Sequence, residues 1–242
     1  MFKKLRYLLL QVRDADDPMR PQEVRCFARA LDCDQAQIGV FDLLAGVPTH
    51  AQLDAVDVVL LGGSGDYSVA HGGPWLPAAL EAMRALYEWS KPTFASCWGF
   101  QAMTKALGGE VVTDLGRAEL GTIPFQLTDA GRADPVFGGL PDPFIAPIGH
   151  QDIVDRLPDQ AVLLASTDRV TNQAFGVAGK PIYCAQFHPE LDRTALLERV
   201  ETYPEYVAKI AHQTLDQFAA DCVAQFDTAT LLTRFVRHVF GE

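Results

Sequence analysis

The sequence predicts an α/β fold, a doubly wound and mostly parallel sheet with helices on both faces. Short apolar runs alternate with segments of helical period through the first 107 residues, and Gly or Pro punctuates the joins, the pattern of repeated βαβ units. The chain has 242 residues, near the roughly 250 that one α/β unit reaches. With 48% hydrophobic and 21% charged residues it has the composition of a globule with a sizeable core. No repeat, low-complexity linker or second core interrupts it, so residues 1–242 are expected to form one domain.

Residues 5–12 read as a strand covered on both faces, ended by the acidic, Pro-containing stretch 14–18. A helix over 20–31 follows, with Val24, Phe27, Ala28 and Leu31 at helical spacing, and then two buried strands at 38–41 and 56–61. Residues 75–89 predict an amphipathic helix with Leu76, Leu80, Met83 and Tyr87 on one face. A short strand at 92–96 leads into a helix over 98–107, closed by Gly108 and Gly109. From residue 110 the texture changes to strands at 120–127, 161–166, 172–177 and 182–187, separated by turns such as Gly138-Gly139-Leu140-Pro141. These are expected as a meander at the sheet's edge. From Leu191 the chain reads as helical: Tyr203, Val207, Ile210, Thr214 and Phe218 mark one stripe, and Leu232, Val236 and Val239 another.

Composition excludes several functions. Lys plus Arg number 20 against 31 Asp plus Glu, a net charge of −11, so the overall field repels phosphate backbones and anionic lipid heads, and neither nucleic acid nor a membrane is an expected partner. No apolar stretch approaches the ~18 residues of a membrane span. Lys3, Lys4 and Arg6 precede only a short apolar run at 7–10 with no small-residue cleavage site behind it, unlike a signal peptide. Five cysteines (Cys26, Cys33, Cys97, Cys184, Cys222) are odd in number and without CxxC spacing, which argues against a disulfide framework or a zinc site and for a reducing cytoplasm.

One cysteine stands apart. Residues 93–101 run from a buried strand straight into a helix, with small residues Ala95, Ser96 and Gly99 around Cys97. A nucleophile elbow needs that arrangement, because strand and helix pass closely at a strained turn. A cysteine at a helix N-terminus is favoured as thiolate, and the N–H of Trp98 is placed to meet a carbonyl oxygen. Gln101, four residues on, shares the helical face of Cys97. Taken alone the elbow fits hydrolases, peptidases and transferases, and the other four cysteines read as buried structural thiols.

A thiolate nucleophile needs a base held by a third group, and Gln186-Phe187-His188-Pro189-Glu190 supplies a candidate at a strand end. In an extended segment His188 and Glu190 share a face, so the carboxylate can hold the imidazole tautomer. A glycine loop, Gly62-Gly63-Ser64-Gly65, follows the strand at 56–61, where open α/β sheets bind ligands. Gly63 is the expected second oxyanion donor, since a Gly backbone approaches a substrate closely. A phosphate cradle competes for this loop, although the Lys of a P-loop is missing.

Glycine loop, cysteine elbow and His-Pro-Glu, in that order, together resemble the class I (triad-type) glutamine amidotransferases. The family pattern G-x-C-x-G-x-Q appears as residues 95–101, with Ala95 in place of the first glycine, and Gly149-His150-Gln151-Asp152-Ile153-Val154 is similar to the family's His-Gly-Asp-x-Val segment, with Gln151 where glycine is usual. The resemblance spans residues 5–190 and the final helix and implies a flavodoxin-like sheet. It implies that Cys97 attacks the glutamine side-chain amide, that Gly63 and Trp98 hold the oxyanion, and that His188, oriented by Glu190, protonates departing ammonia. Water then hydrolyses the γ-glutamyl thioester. Gly65, Gln101, His150, Gln151 and Asp152 are the implied substrate contacts, and no metal or organic cofactor is required.

In family members such as GMP synthase the amidotransferase is fused to or paired with a synthase that consumes the ammonia. Here that leaves a separate synthase partner, or a free-standing hydrolase or transferase of γ-glutamyl compounds, GMP-synthase-amidotransferase-like in its motifs. A catalytically idle binding or regulatory module is a third reading, which the intact Cys-His-Glu set opposes. The helical stretch at about 191–227 reads as an insertion, expected to cover the sheet, with substrate selection or homo-oligomerisation as its functional alternative.

Overall fold

In the computed structural model, which describes residues 5–241, strand β1 (Tyr7–Gln11), helix α1 (Met19–Ala30), β2 (Ile38–Asp42), α2 (His50–Asp54) and β3 (Val58–Leu61) open the chain. Then come α3 (Leu76–Glu88), β4 (Thr93–Ser96), α4 (Trp98–Ala106), β5 (Glu110–Thr113), β6 (Glu119–Leu127) and α5 (Asp129–Ala133). Strands β7 (Phe144–His150), β8 (Asp152–Arg156), β9 (Ala161–Ser166), β10 (Ala174–Val177) and β11 (Ile182–Ala185) follow. The chain continues with helices α6 (Arg193–Thr202), α7 (Pro204–Tyr206), α8 (Leu215–Asp221) and α9 (Leu231–Phe240). Lys3 and Lys4 lie outside the described residues.

Among the described residues the main sheet has nine strands in the order β2-β1-β3-β4-β11-β10-β9-β6-β7, and β5 pairs with β8 in a separate ribbon. The run from β2 to β11 is parallel, and β10, β9, β6 and β7 extend it antiparallel. Strand pleat explains the two helical layers, because alternate side chains point to opposite faces. Tyr7, Leu9, Val58, Leu60 and Phe94 meet Phe27 of α1 and Phe235 of α9 on one face. Leu8, Leu10, Val59, Leu61 and Ala95 meet Leu76 and Met83 of α3 and Phe100 of α4 on the other. With β1, β3, β4 and β11 buried along their whole length, their continuous apolar sequences are accounted for.

Several expectations need correction. The strand expected to be buried at 38–41 is β2, an edge strand whose Gly39 and Val40 are exposed, since it has a neighbour on one side only. The strand expected at 182–187 ends at Ala185 and lies mid-sheet, parallel to β4, rather than in an edge meander. Strand β7 carries Pro147 and Gly149, which mask it as a strand in the sequence, and edge position is what tolerates the proline. The short elements α2, α5, β5 and β8 were also not expected.

The segment 191–227 is not one helix. It breaks at Pro204, passes through a π-helical turn (Val207–Ala211), and reverses at His212, whose φ is +54°. Of the expected stripe, Val207 and Phe218 are buried and Thr214 is exposed. They join Leu196, Val200, Cys222 and Cys26 of α1 in a small core of their own, beside Leu120 of β6. The segment therefore packs on α1 and, as expected, on the sheet, at its antiparallel strand β6. Among the described residues no helix is long and apolar enough to cross a membrane.

Helix α9 closes one face of the sheet through Phe235, fully buried with ring centroids 5.6 Å from Phe94 and 5.8 Å from Tyr183. Phe235→Ala is expected to lower unfolding free energy by about 3–5 kcal/mol, the usual result of deleting a buried phenyl ring. Urea denaturation checks this, and a loss below about 1 kcal/mol would show that α9 does not secure that face.

Candidate active site

The end of β4 sets the first requirement. Cys97 adopts φ 50° and ψ −106°, a conformation rarely open to a side-chain-bearing residue, between the last strand residue and the first residue of α4. Gly99 makes the turn fit: a Cβ there would lie 2.5 Å from Leu61 Cβ and 3.1 Å from Ala95 Cβ. The small residues at 95, 96 and 99 thus meet the packing demand read from the sequence. Ser96 does more, because its hydroxyl lies 3.1 Å from both the Leu61 carbonyl oxygen and Glu190 Oε2. Trp98 opens α4, so its backbone N–H has no partner within the helix, and the residue lines the cavity.

Strand β11 delivers the second group. His188 N donates to the Pro147 carbonyl at 2.9 Å, and Leu191 N donates back to the His188 carbonyl at 3.1 Å. Residues 188–191 therefore form a turn, not the extended segment expected, and the turn brings His188 Nδ1 to 2.7 Å from Glu190 Oε1. With Nδ1–H donated to the carboxylate, Nε2 remains for the Cys97 sulfur, which is within hydrogen-bonding reach of the ring. Cys97 Sγ also lies 3.6 Å from the Gly149 carbonyl oxygen. Burial disfavours the His188 imidazolium, but Glu190 and Cys97 outweigh it and raise its pKa to about 9. Burial likewise opposes the Glu190 charge, and His188 and Arg199 together hold its pKa below the ordinary carboxylate value.

The glycine loop leaves β3, next to β4 in the sheet. A Cβ on Gly62 would collide with the Glu23 carboxylate, and one on Gly63 would sit 3.3 Å from His188 Cε1 and 3.5 Å from Arg13 Nη2. Gly65 has φ +66°, and a Cβ there would meet the Tyr203 hydroxyl at 3.3 Å. The loop is pinned by Asp152, whose carboxylate accepts from Ser68 Oγ at 2.7 Å, Ala70 N at 3.1 Å and Thr113 Oγ1 at 2.6 Å.

Of the candidate catalytic, oxyanion and substrate-contact residues, all line one cavity of about 320 Å³ except Glu190, which is fully buried beside His188. The polar groups differ in what they have left to offer. Gln101 Nε2 donates to the Asp152 carbonyl at 3.0 Å and to Gln186 Oε1 at 3.1 Å. His150 Nε2 is 3.2 Å from Glu119 Oε2, and Thr167 and Gln173 also donate to that carboxylate. Gln151 lines the wall between them. Among the described residues no group of three or more His, Cys, Asp or Glu is placed to hold a metal.

Sequence reasoning missed Arg199, Tyr203 and Tyr206 as site residues. Tyr206 donates to the Gly65 carbonyl at 3.2 Å, and Tyr203 donates to Asp17 while accepting from Arg13 Nη1 at 3.2 Å. The segment 191–227 thus forms one wall of the cavity as well as a small core. Arg199 carried a readable signal: it interrupts the buried stripe Ala195, Leu196, Val200 of α6, and a cation on an apolar helix face needs a buried partner.

Known proteins share both the sequence and the fold. The chain is 34% identical over 128 residues to the A subunit of the glutamine-hydrolysing GMP synthase of Methanopyrus kandleri, covering 52% of this chain and 67% of that protein. It is 33% identical over 133 residues to the glutamine-hydrolysing GMP synthase of Streptomyces avermitilis, covering 55% of this chain and 24% of that one. The match thus spans about two thirds of the first relative and about a quarter of the second. Among solved structures, a glutamine amidotransferase from Thermotoga maritima superposes with TM-score 0.77 at 19% identity over 98% of both chains. One from Methylobacillus flagellatus superposes with TM-score 0.71 at 20% identity, covering 99% of this chain and 94% of that one. At these identities the two structures establish the shared α/β fold. The family model described as glutamine amidotransferase class-I matches residues 27–199, most of the strands that build the cavity and its elbow, and the chain belongs to that family.

Proposed function

We propose that this chain hydrolyses the side-chain amide of glutamine through a γ-glutamyl thioester on Cys97 and passes the ammonia to a separate synthase. The observation that carries the reading is the convergence of Cys97, His188 and Glu190, from adjacent strands β4 and β11, with the glycine loop on a single cavity. Cys97 sulfur attacks the amide carbon, and the resulting oxyanion accepts from the backbone N–H groups of Gly63 and Trp98. His188 gives its proton to the departing nitrogen as the C–N bond breaks. It then takes a proton from the water that cleaves the thioester, releasing glutamate and restoring the cysteine. Gly65, Gln101, His150, Gln151 and Asp152 shape the glutamine end of the cavity. The relatives' names point to a purine-nucleotide synthase as consumer of the ammonia.

We read residues 191–227 as an insertion into a single amidotransferase domain; the family match itself ends at residue 199. That segment also favours a second reading, a free-standing hydrolase of γ-glutamyl compounds, because Tyr203 and Tyr206 wall the cavity with surface on which a substituted amine could rest. Faster turnover of γ-glutamyl amides than of glutamine, with no partner present, would favour it. Five free thiols suit a reducing, cytoplasmic setting.

Purified protein is expected to release glutamate and ammonia from glutamine in equal amounts. Cys97→Ala should abolish this while the protein stays folded, and a folded Cys97→Ala protein that retains turnover would refute the mechanism. His188→Ala should be nearly as damaging, whereas Glu190→Gln should lose less, because the base it orients is still present.

Burial pushes the Cys26 and Cys33 thiols up to about 11 and also raises Cys184 and Cys222. An electrophilic glutamine analogue should therefore modify Cys97 alone, as peptide mass mapping would reveal; label spread over several cysteines would contradict a uniquely activated nucleophile.

The pH dependence follows from His188. Its proton, needed by the departing ammonia, is kept until about pH 9, so kcat/KM should fall as pH rises through that value. Glu190→Gln removes a charge that raises the His188 pKa, so its alkaline limb should lie at lower pH; an unmoved limb would assign it to another group.

A further inference from the structure

Arg199 takes no part in the steps above, yet its guanidinium reaches the reacting groups. Nη1 lies 3.2 Å from His188 Nδ1 and 3.6 Å from Glu190 Oε1. The same side chain donates from Nε to Gln22 Oε1 at 2.9 Å and holds Nη2 3.9 Å from Glu23 Oε1. It is 8% exposed and lines the cavity. One arginine thus ties α1 and α6 to the turn that carries His188 and Glu190.

The chemistry gives this contact a role. While His188 is protonated, the buried Glu190 carboxylate has a counter-charge 2.7 Å away. Once His188 hands its proton to the departing nitrogen, that counter-charge disappears, and an uncompensated buried carboxylate is strongly disfavoured. Ser96 supplies only a neutral hydrogen bond to the other oxygen. Arg199 is the cation that remains beside Glu190 through the whole cycle. Around it, Arg13 is occupied by Asp17 and Glu23, Arg29 donates to the Glu190 backbone carbonyl, and Cys97 faces His188 from the start of α4.

We propose that Arg199 is a positioning residue of the catalytic site, which keeps Glu190 ionised and aimed at His188 and sets a fixed positive charge beside the Cys97–His188 pair. The proposal rests on the reading of Cys97, His188 and Glu190 as the reacting groups. It makes α6, the first helix after the His-Pro-Glu turn, a working part of the site.

The test compares wild type, Arg199→Gln and Arg199→Lys, each checked for folding by circular dichroism, in two assays across pH. One is glutamine turnover; the other is alkylation of Cys97 by iodoacetamide, which needs no turnover. Arg199→Gln is expected to lower kcat about tenfold with KM within about twofold, because the contact acts on the base and not on bound glutamine. Loss of the cation disfavours thiolate and favours imidazolium, so the acid limb of alkylation and the alkaline limb of kcat should both move to higher pH. Arg199→Lys, which keeps the charge, should restore most of both.

A folded Arg199→Gln protein whose two pH profiles superimpose on wild type overturns the proposal, as does a loss confined to KM. Should Arg199→Gln fail to fold, Gln22→Ala slackens the tether on Nε and is expected to lower kcat about threefold at unchanged KM; no change there overturns it. If wild type turns over no glutamine the functional reading fails by itself, and the alkylation profiles still decide the role of Arg199.

Discussion

A carboxylate with no exposed surface must be held by donors from the protein itself, and Glu190 is that group here. Its side chain engages His188 through one oxygen and Ser96 through the other, and Arg29 of α1 donates to its backbone carbonyl. Arg199 of α6 stands beside it. These partners come from well-separated parts of the chain, so one anion draws α1, β4, the turn after β11 and α6 to the same end of the sheet. Removing one partner of such a buried pair leaves a charge uncompensated, typically at about 3–5 kcal/mol, which leaves this corner of the fold with little freedom to vary.

Strand order delivers the remaining parts of the site. Because β3, β4 and β11 are parallel neighbours, their carboxyl ends lie side by side, and the glycine loop, the cysteine and the histidine emerge together from one edge. The space between them is filled to the point where side chains would not fit. Glu23 occupies the place of a Cβ on Gly62, and Leu61 occupies that of Gly99. Gly62 and Gly63 are there because the loop backbone must pass between α1 and the histidine, with no room for side chains.

Charge is distributed against the average. The chain carries a net −11, yet two arginines are buried at the cavity, Arg13 paired with Asp17 and Glu23 and Arg199 beside Glu190 and Glu23. The acidic surface and the arginine-lined interior answer different demands, the first on what may approach the molecule and the second on what can be ionised inside it. The segment 191–227 takes part in both the stability and the site, since its small core of Val207 and Phe218 is what holds Tyr203 and Tyr206 over the glycine loop.

The sequence by itself determined strands β1, β3 and β4 and the packing of the elbow, because both rest on local rules. Continuous apolar runs identify doubly covered strands, and the small residues flanking Cys97 are demanded within a few residues of it. Tertiary structure alone decided the rest. That β11 lies mid-sheet while β2 forms an edge depends on pairing partners far apart in the chain, and β7 hid behind Pro147 and Gly149 until its edge position was known. The contact between His188 and Glu190 was foreseen on the alternation of a strand, but it arises from a turn closed by Leu191 N on the His188 carbonyl. Asp152 was expected to face substrate, and its carboxylate is spent on Ser68, Ala70 and Thr113 of the loop region. Arg199 shows why most clearly: its helix advertised a cation on an apolar stripe, but the identity of the buried anion it serves is a matter of which elements meet, and pattern along one chain does not encode distance across the fold.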